Sequence, residues 1–135
     1  MNEEEKKVEE HLLLKEEIIN DLDLATKGFQ EGELTESMMY IKVLDAWEKA
    51  NTNKRLHQLI EGEIRRRRMV IHHQIGEIDI SKGDPIRIRY NPAYWFTNVP
   101  EEFKSKEKLQ VFILDRIKSL REFFVNLERA RSDYS

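Results

Sequence analysis

A chain of 135 residues is one domain's worth and enough to bury a single modest core. Its composition, 39% hydrophobic and 36% charged, fits a folded molecule with a highly charged surface. The chain has no cysteine, which excludes disulfides, thiolate catalysis and cysteine metal sites, and its net charge of −3 divides into 14 Asp/Glu against 6 Lys/Arg over residues 1–50 and 12 against 17 over residues 51–135.

The chain opens with MNEEEKKVEEH, which lacks the basic-then-apolar layout of a secretory signal. No apolar run approaches the ~18 residues that a membrane span needs, so the expected location is the cytoplasm. Residues 4–28 read as a long helix: Val8, Leu12, Ile18, Ile19, Leu22, Ala25 and Phe29 follow three-four spacing, and acidic residues crowd the first turns. Gly28 and Gly32 are candidate terminators. A second helix is expected over 36–50, with Thr35 as its cap and Tyr40, Val43, Leu44, Trp47 and Ala50 on its apolar side. Met38 and Met39 at its start read as core filler. Asn51-Thr52-Asn53 breaks it and can cap a third helix over 54–75, which carries Leu56, Leu59, Ile60, Ile64, Val70, Ile71 and Ile75.

The period then changes to two. Ile78 and Ile80, then Ile86, Ile88 and Tyr90, alternate with polar residues around Lys82-Gly83-Asp84-Pro85, which predicts a small β-hairpin over 77–90. Residues 91–96 form an aromatic loop, and Pro100-Glu101-Glu102 resembles a helical start. The last helix, 106–131, has the cleanest stripe: Leu109, Phe112, Ile113, Ile117, Leu120, Phe124, Leu127 and Ala130. At ~1.5 Å per residue the three longest helices each span roughly 30–40 Å. The fold class expected is mainly α, one domain over 1–135: an antiparallel bundle of about four helices with a hairpin insertion.

Three features bear on function. The run Arg65-Arg66-Arg67-Arg68, with Lys54, Arg55 and His57 on the same helix, could track phosphates or cover a solvent face that pairs with the acidic first helix. Within that run, Arg67 falls in the apolar stripe with Glu63 four residues before it. Two charges in an apolar face are costly unless paired, so Glu63 and Arg67 read as a buried pair, an interface pair, or the lining of a pocket for an anion. The ring cluster Tyr90, Tyr94, Trp95, Phe96 and Phe103, flanked by Arg87 and Arg89, could stack bases, seat a partner or plug the bundle.

Catalytic and metal motifs are missing: His72 and His73 are neighbours that point about 100° apart on a helix, and no H-E-x-x-H, G-x-x-x-x-G-K or G-x-G-x-x-G occurs. Glu33-x-x-Glu36 has no matching partner motif. The expectation is therefore a non-enzymatic interaction protein without cofactor or metal, by analogy a regulator of replication or transcription, with a protein partner and a dimeric state. Its contact residues are expected at Lys54, Arg55, Arg65, Arg66, Arg68, Arg87, Arg89, Tyr94, Trp95 and Phe96. The first alternative is nucleic-acid binding by the basic helix face, and the second is a helical enzyme acting on an anionic small molecule through Arg67 and Glu63.

Overall fold

The computed structural model describes residues 3–75 and 85–132, and is mostly helical. Among the described residues there are four long or medium helices, α1 (Glu3–Gln30), α2 (Glu36–Thr52), α3 (Lys54–Ile75) and α5 (Lys106–Ser132), and a short α4 (Pro85–Tyr90) between α3 and α5 in the chain. Single 3₁₀ turns occur at Pro92–Tyr94 and Glu101–Phe103.

The α1–α2 connection is a tight helical hairpin set by glycine. Gly32 has φ +78°, a left-handed conformation that costs a residue with a Cβ about 1–2 kcal/mol. From there Glu33 N–H donates to the Gly28 carbonyl at 2.9 Å and Gly32 N–H to that of Phe29 at 3.2 Å, which satisfies the last carbonyls of α1. Leu34 folds back over Gly28, where a Cβ would lie 3.0 Å from Leu34 Cδ1. Thr35 Oγ1 then accepts from Met38 N–H at 3.2 Å and caps α2, as its position predicts. Asn53 does the same for α3, its Oδ1 accepting from Leu56 N–H at 2.9 Å.

The hairpin expected over 77–90 is not formed in the part that is described. Residues 85–90 are helical, while Ile78 and Ile80 lie outside the described residues. Pro85 stands at the first helical position, where its fixed φ and missing N–H suit a helix. Ile86 and Tyr90, four apart, share one face, and both are buried. Arg87 and Arg89 project to either side of them. In so short a segment, alternation and a single helical turn give the same apolar pattern, and packing on α5 decides between them.

One core cluster draws on every helix. Ile18, Leu22, Ala25 and Phe29 of α1 meet Met39, Val43, Ala46, Trp47 and Ala50 of α2, and Leu56, Ile60 and Ile64 of α3. The α5 stripe from Phe112 to Leu127 closes it. Each buried Leu, Ile or Phe contributes about 1.5–3 kcal/mol over leaving it in water. Met39 is core filler as expected, whereas Met38 is exposed. The side chains of Val8, Val70, Ile71, His72, His73, Ile75 and Ala130 lie outside the described residues.

Candidate functional site

A guanidinium seam lies against this core where α3, α4 and α5 meet. On α3, Glu63 is buried at 6% exposure, and its carboxylate receives two arginines. Arg67 Nε donates to Oε1 at 2.8 Å, and Arg66 engages both oxygens, with Nε 3.1 Å from Oε2. Burial pushes the Glu63 carboxyl up, but hydrogen bonds from Arg66 and Arg67, helped by their charges, outweigh this and hold it below its ordinary range. The Glu63–Arg67 pair expected from the stripe is thus made, and Arg66 joins it. Arg67 also donates from Nη1 to Tyr90 Oη at 2.5 Å, and its Cζ lies 4.9 Å from the Tyr90 ring centre and 5.3 Å from that of Phe123. Those two rings stack with centroids 4.7 Å apart.

Helix α4 hands its arginines to both neighbours. Arg87 reaches Glu61 of α3 at 3.2 Å. Arg89 donates from Nη2 to Ser119 Oγ of α5 at 2.8 Å and lies 3.7 Å from Asp115 Oδ2. That same oxygen is 3.4 Å from Arg116 Nη1. Arg116 is only 16% exposed, its Cζ sits 4.7 Å from the Phe112 ring centre, and its Nε is buried with no hydrogen-bond partner. Desolvation, and then the positive charge of Arg89, push its guanidinium below the ordinary arginine value, while Asp115 opposes this. Arg116, Ser119 and Asp115 were not among the residues singled out from the sequence. The signal was present: Arg116 lies in the Phe112/Ile113/Ile117/Leu120 stripe of α5, as Arg67 does in that of α3.

The aromatic loop divides by burial. Trp95 is 1% exposed, with its indole N–H donating to the Arg89 carbonyl at 3.2 Å, and Tyr90 is equally in the core. Neither ring can stack a base or seat a partner, which corrects the placing of Trp95 in the contact surface: its large apolar body fills the end of the core, and its one donor is satisfied internally. Phe96 is half-buried, edge-on to Tyr40 at 4.9 Å, and Phe103 sits against Phe112 at 5.6 Å. Tyr94, 42% exposed, is the ring of the loop that faces solvent. The basic run divides likewise. Arg66 and Arg67 turn to Glu63, Arg68 is half-buried, and Arg65 is exposed, as is Lys54; Arg55 is half-buried. The run is thus divided between the Glu63 pair and the outer side of α3.

A concavity lies between α1 and α2. This open groove of about 450 Å³ is lined by Ala25, Gly28, Ala46, Leu24 and Leu34, with Asp21, Glu33, Asp45, Lys42 and Lys49 at its charged positions. Lys49 is held by Glu17 and lies 3.4 Å from Asp21; the hydrogen bond to Glu17 is the main cause that holds its ammonium above the ordinary lysine value. Leu24 is 60% exposed, and Ile41, one turn before Asp45 on the outer side of α2, is 55% exposed.

Among the described residues no group of three or more His, Asp and Glu could hold a metal ion, and no helix is long and apolar enough to cross a membrane. Comparison with family models, curated proteins and solved structures returns no match, so what this molecule can do is argued from its own geometry.

Proposed function

We propose that this chain is a non-enzymatic, cytoplasmic interaction protein, an antiparallel bundle of about four helices that acts by docking and associates with a second copy of itself. The observation that carries the reading is the α1/α2 groove, with buried Ala25, Gly28 and Ala46 as a low floor and Leu24 and Ile41 standing in water. Exposed apolar side chains grouped beside a concavity are what a docking face offers. The groove itself carries both signs, Lys42 and Lys49 beside Asp21, Glu33 and Asp45, so a second copy related by a twofold axis can set each sign of this one patch against its complement. Regulators of replication or transcription fit this description by fold-level analogy.

The alternative, nucleic-acid binding through Arg65, Arg66, Arg68 and Lys54 with Tyr90 or Trp95 stacking, is disfavoured by the attachment of Arg66 to Glu63 and by the burial of Tyr90 and Trp95. The deciding measurement is molar mass in solution between about 1 and 100 μM, a range that spans ordinary transient dimers. A mass twice 16.2 kDa is expected, reverting to the single-chain value in Ile41→Lys and Leu24→Glu. A monomer at every concentration, or a dimer indifferent to both substitutions, would sink the assignment of this face.

A further inference from the structure

The seam between α4 and α5 carries more positive charge than its partners balance. Arg89 and Arg116 converge on a single carboxylate oxygen, Asp115 Oδ2, at 3.7 and 3.4 Å. Both distances are longer than the 2.7–2.9 Å of a charge-assisted hydrogen bond. Asp115 is itself 55% exposed, so much of its charge is solvated by water. Arg116 is the reverse case: 16% exposed, with a phenyl face on one side and a buried Nε–H that meets no acceptor. A buried donor without a partner costs about 1–3 kcal/mol, more when charged. Ser119, 8% exposed, accepts from Arg89 and leaves its own hydroxyl proton available as a donor.

The arrangement therefore holds two guanidiniums, one buried hydroxyl and one weakly engaged carboxylate, on a face that water reaches past Arg89. Its donors lie close enough for one tetrahedral oxyanion to bridge them. Through the shared Oδ2, Arg89 Nη2 and Arg116 Nη1 stand no more than about 7 Å apart. A phosphate with oxygens ~2.5 Å apart, reached by a ~2.8 Å hydrogen bond on each side, spans up to about 8 Å. Planar guanidiniums present paired donors to such oxygens, and a dianion neutralises both cations where one carboxylate neutralises half.

We propose that Arg89, Arg116 and Ser119 form a binding site for a phosphate dianion, free or as a small phosphomonoester, with the Asp115 carboxylate occupying the anion's place in its absence. This site is independent of the α1/α2 docking face. The anion displaces Asp115 towards water, takes hydrogen bonds from both guanidiniums, and accepts from the Ser119 hydroxyl.

Calorimetric titration of the whole chain at constant ionic strength, with inorganic phosphate and with phenyl phosphate as separate ligands, tests this. Saturable binding with a Kd of about 1 mM or below is expected for at least one of them. If inorganic phosphate alone binds, the site takes the free ion; if phenyl phosphate binds as well or better, it takes esters. Arg89→Gln and Arg116→Gln should each weaken binding at least about tenfold, and Asp115→Asn should tighten it about threefold or more by removing the competing carboxylate. A role confined to holding α4 on α5 predicts no tightening in Asp115→Asn. Arg89 is 44% exposed, so Arg89→Gln keeps the test open should Arg116→Gln fail to fold. No saturable binding up to about 20 mM, or equal affinity in wild type and Arg89→Gln, would overturn the proposal. So would a rise in Tm with phosphate that is the same in every variant, because excluded salts stabilise any fold.

Discussion

Glu63 and Arg116 illustrate two outcomes for a charge placed in an apolar stripe. Glu63 collects two arginines and is held as the anion; Arg116 collects half of one exposed carboxylate. For Glu63 the consequence is measurable. Its carboxyl titrates below the ordinary glutamate value in the folded chain, so the stability it contributes is complete above the unfolded value of about 4.3 and is lost as pH falls through the lower folded value. Glu63→Gln should cost about 2–3 kcal/mol at pH 7, below the 3–5 kcal/mol of a fully buried broken pair because Arg66 and Arg67 keep some contact with water. Urea unfolding of wild type and variant from pH 7 to pH 3 should show the two curves converging only at the acid end. Parallel curves would mean that Glu63 is not held as the anion.

Helices here are set by their ends as much as by their stripes. Thr35, Asn53 and Gly32 are each visible in the sequence as caps or terminators, and each performs that role with a hydrogen bond or a left-handed turn. Gly28, also a candidate terminator, instead lies inside α1 and makes room for Leu34. Gly62, inside α3, faces open space where a Cβ would stand. Gly62→Ala should therefore stabilise the protein by about 0.5–1 kcal/mol through helix propensity and a less free unfolded chain. Gly32→Ala should destabilise it by about 1 kcal/mol, because φ is positive there. Thermal melts of the two variants should move in opposite directions; shifts of one sign would contradict this account of the α1–α2 turn. The error at element scale, a hairpin expected where residues 85–90 form α4, has the same origin. Six residues show too few repeats to separate a period of 2 from one of 3.6, and Pro85 after Gly83-Asp84 reads equally as a turn residue and as a first helical position.

At the scale of the molecule the question is whether acidic and basic halves act within the chain or beyond it. Arg121 binds Asp23 at 2.7 Å and ties α5 to α1, whereas Arg66, Arg67, Arg87 and Arg89 find carboxylates on α3 and α5 within their own half. With those arginines engaged, binding of labelled single- or double-stranded DNA or RNA at 150 mM salt should be weak, with a Kd no tighter than about 100 μM. Micromolar binding that falls steeply with salt and disappears in Arg65→Ala/Arg68→Ala would move the functional surface to α3. The stripes, the caps, the charge asymmetry and the Glu63–Arg67 pair are set by spacing along single helices, which is why the sequence alone determines the long helices and the mainly α class. Which rings are buried, which arginines keep a free donor, and how α4 joins Arg89 to Arg116 and Ser119 depend on contacts between residues about 30 apart in the chain. Only tertiary packing decides those, because helical periodicity says which residues share a face and nothing about what that face will meet.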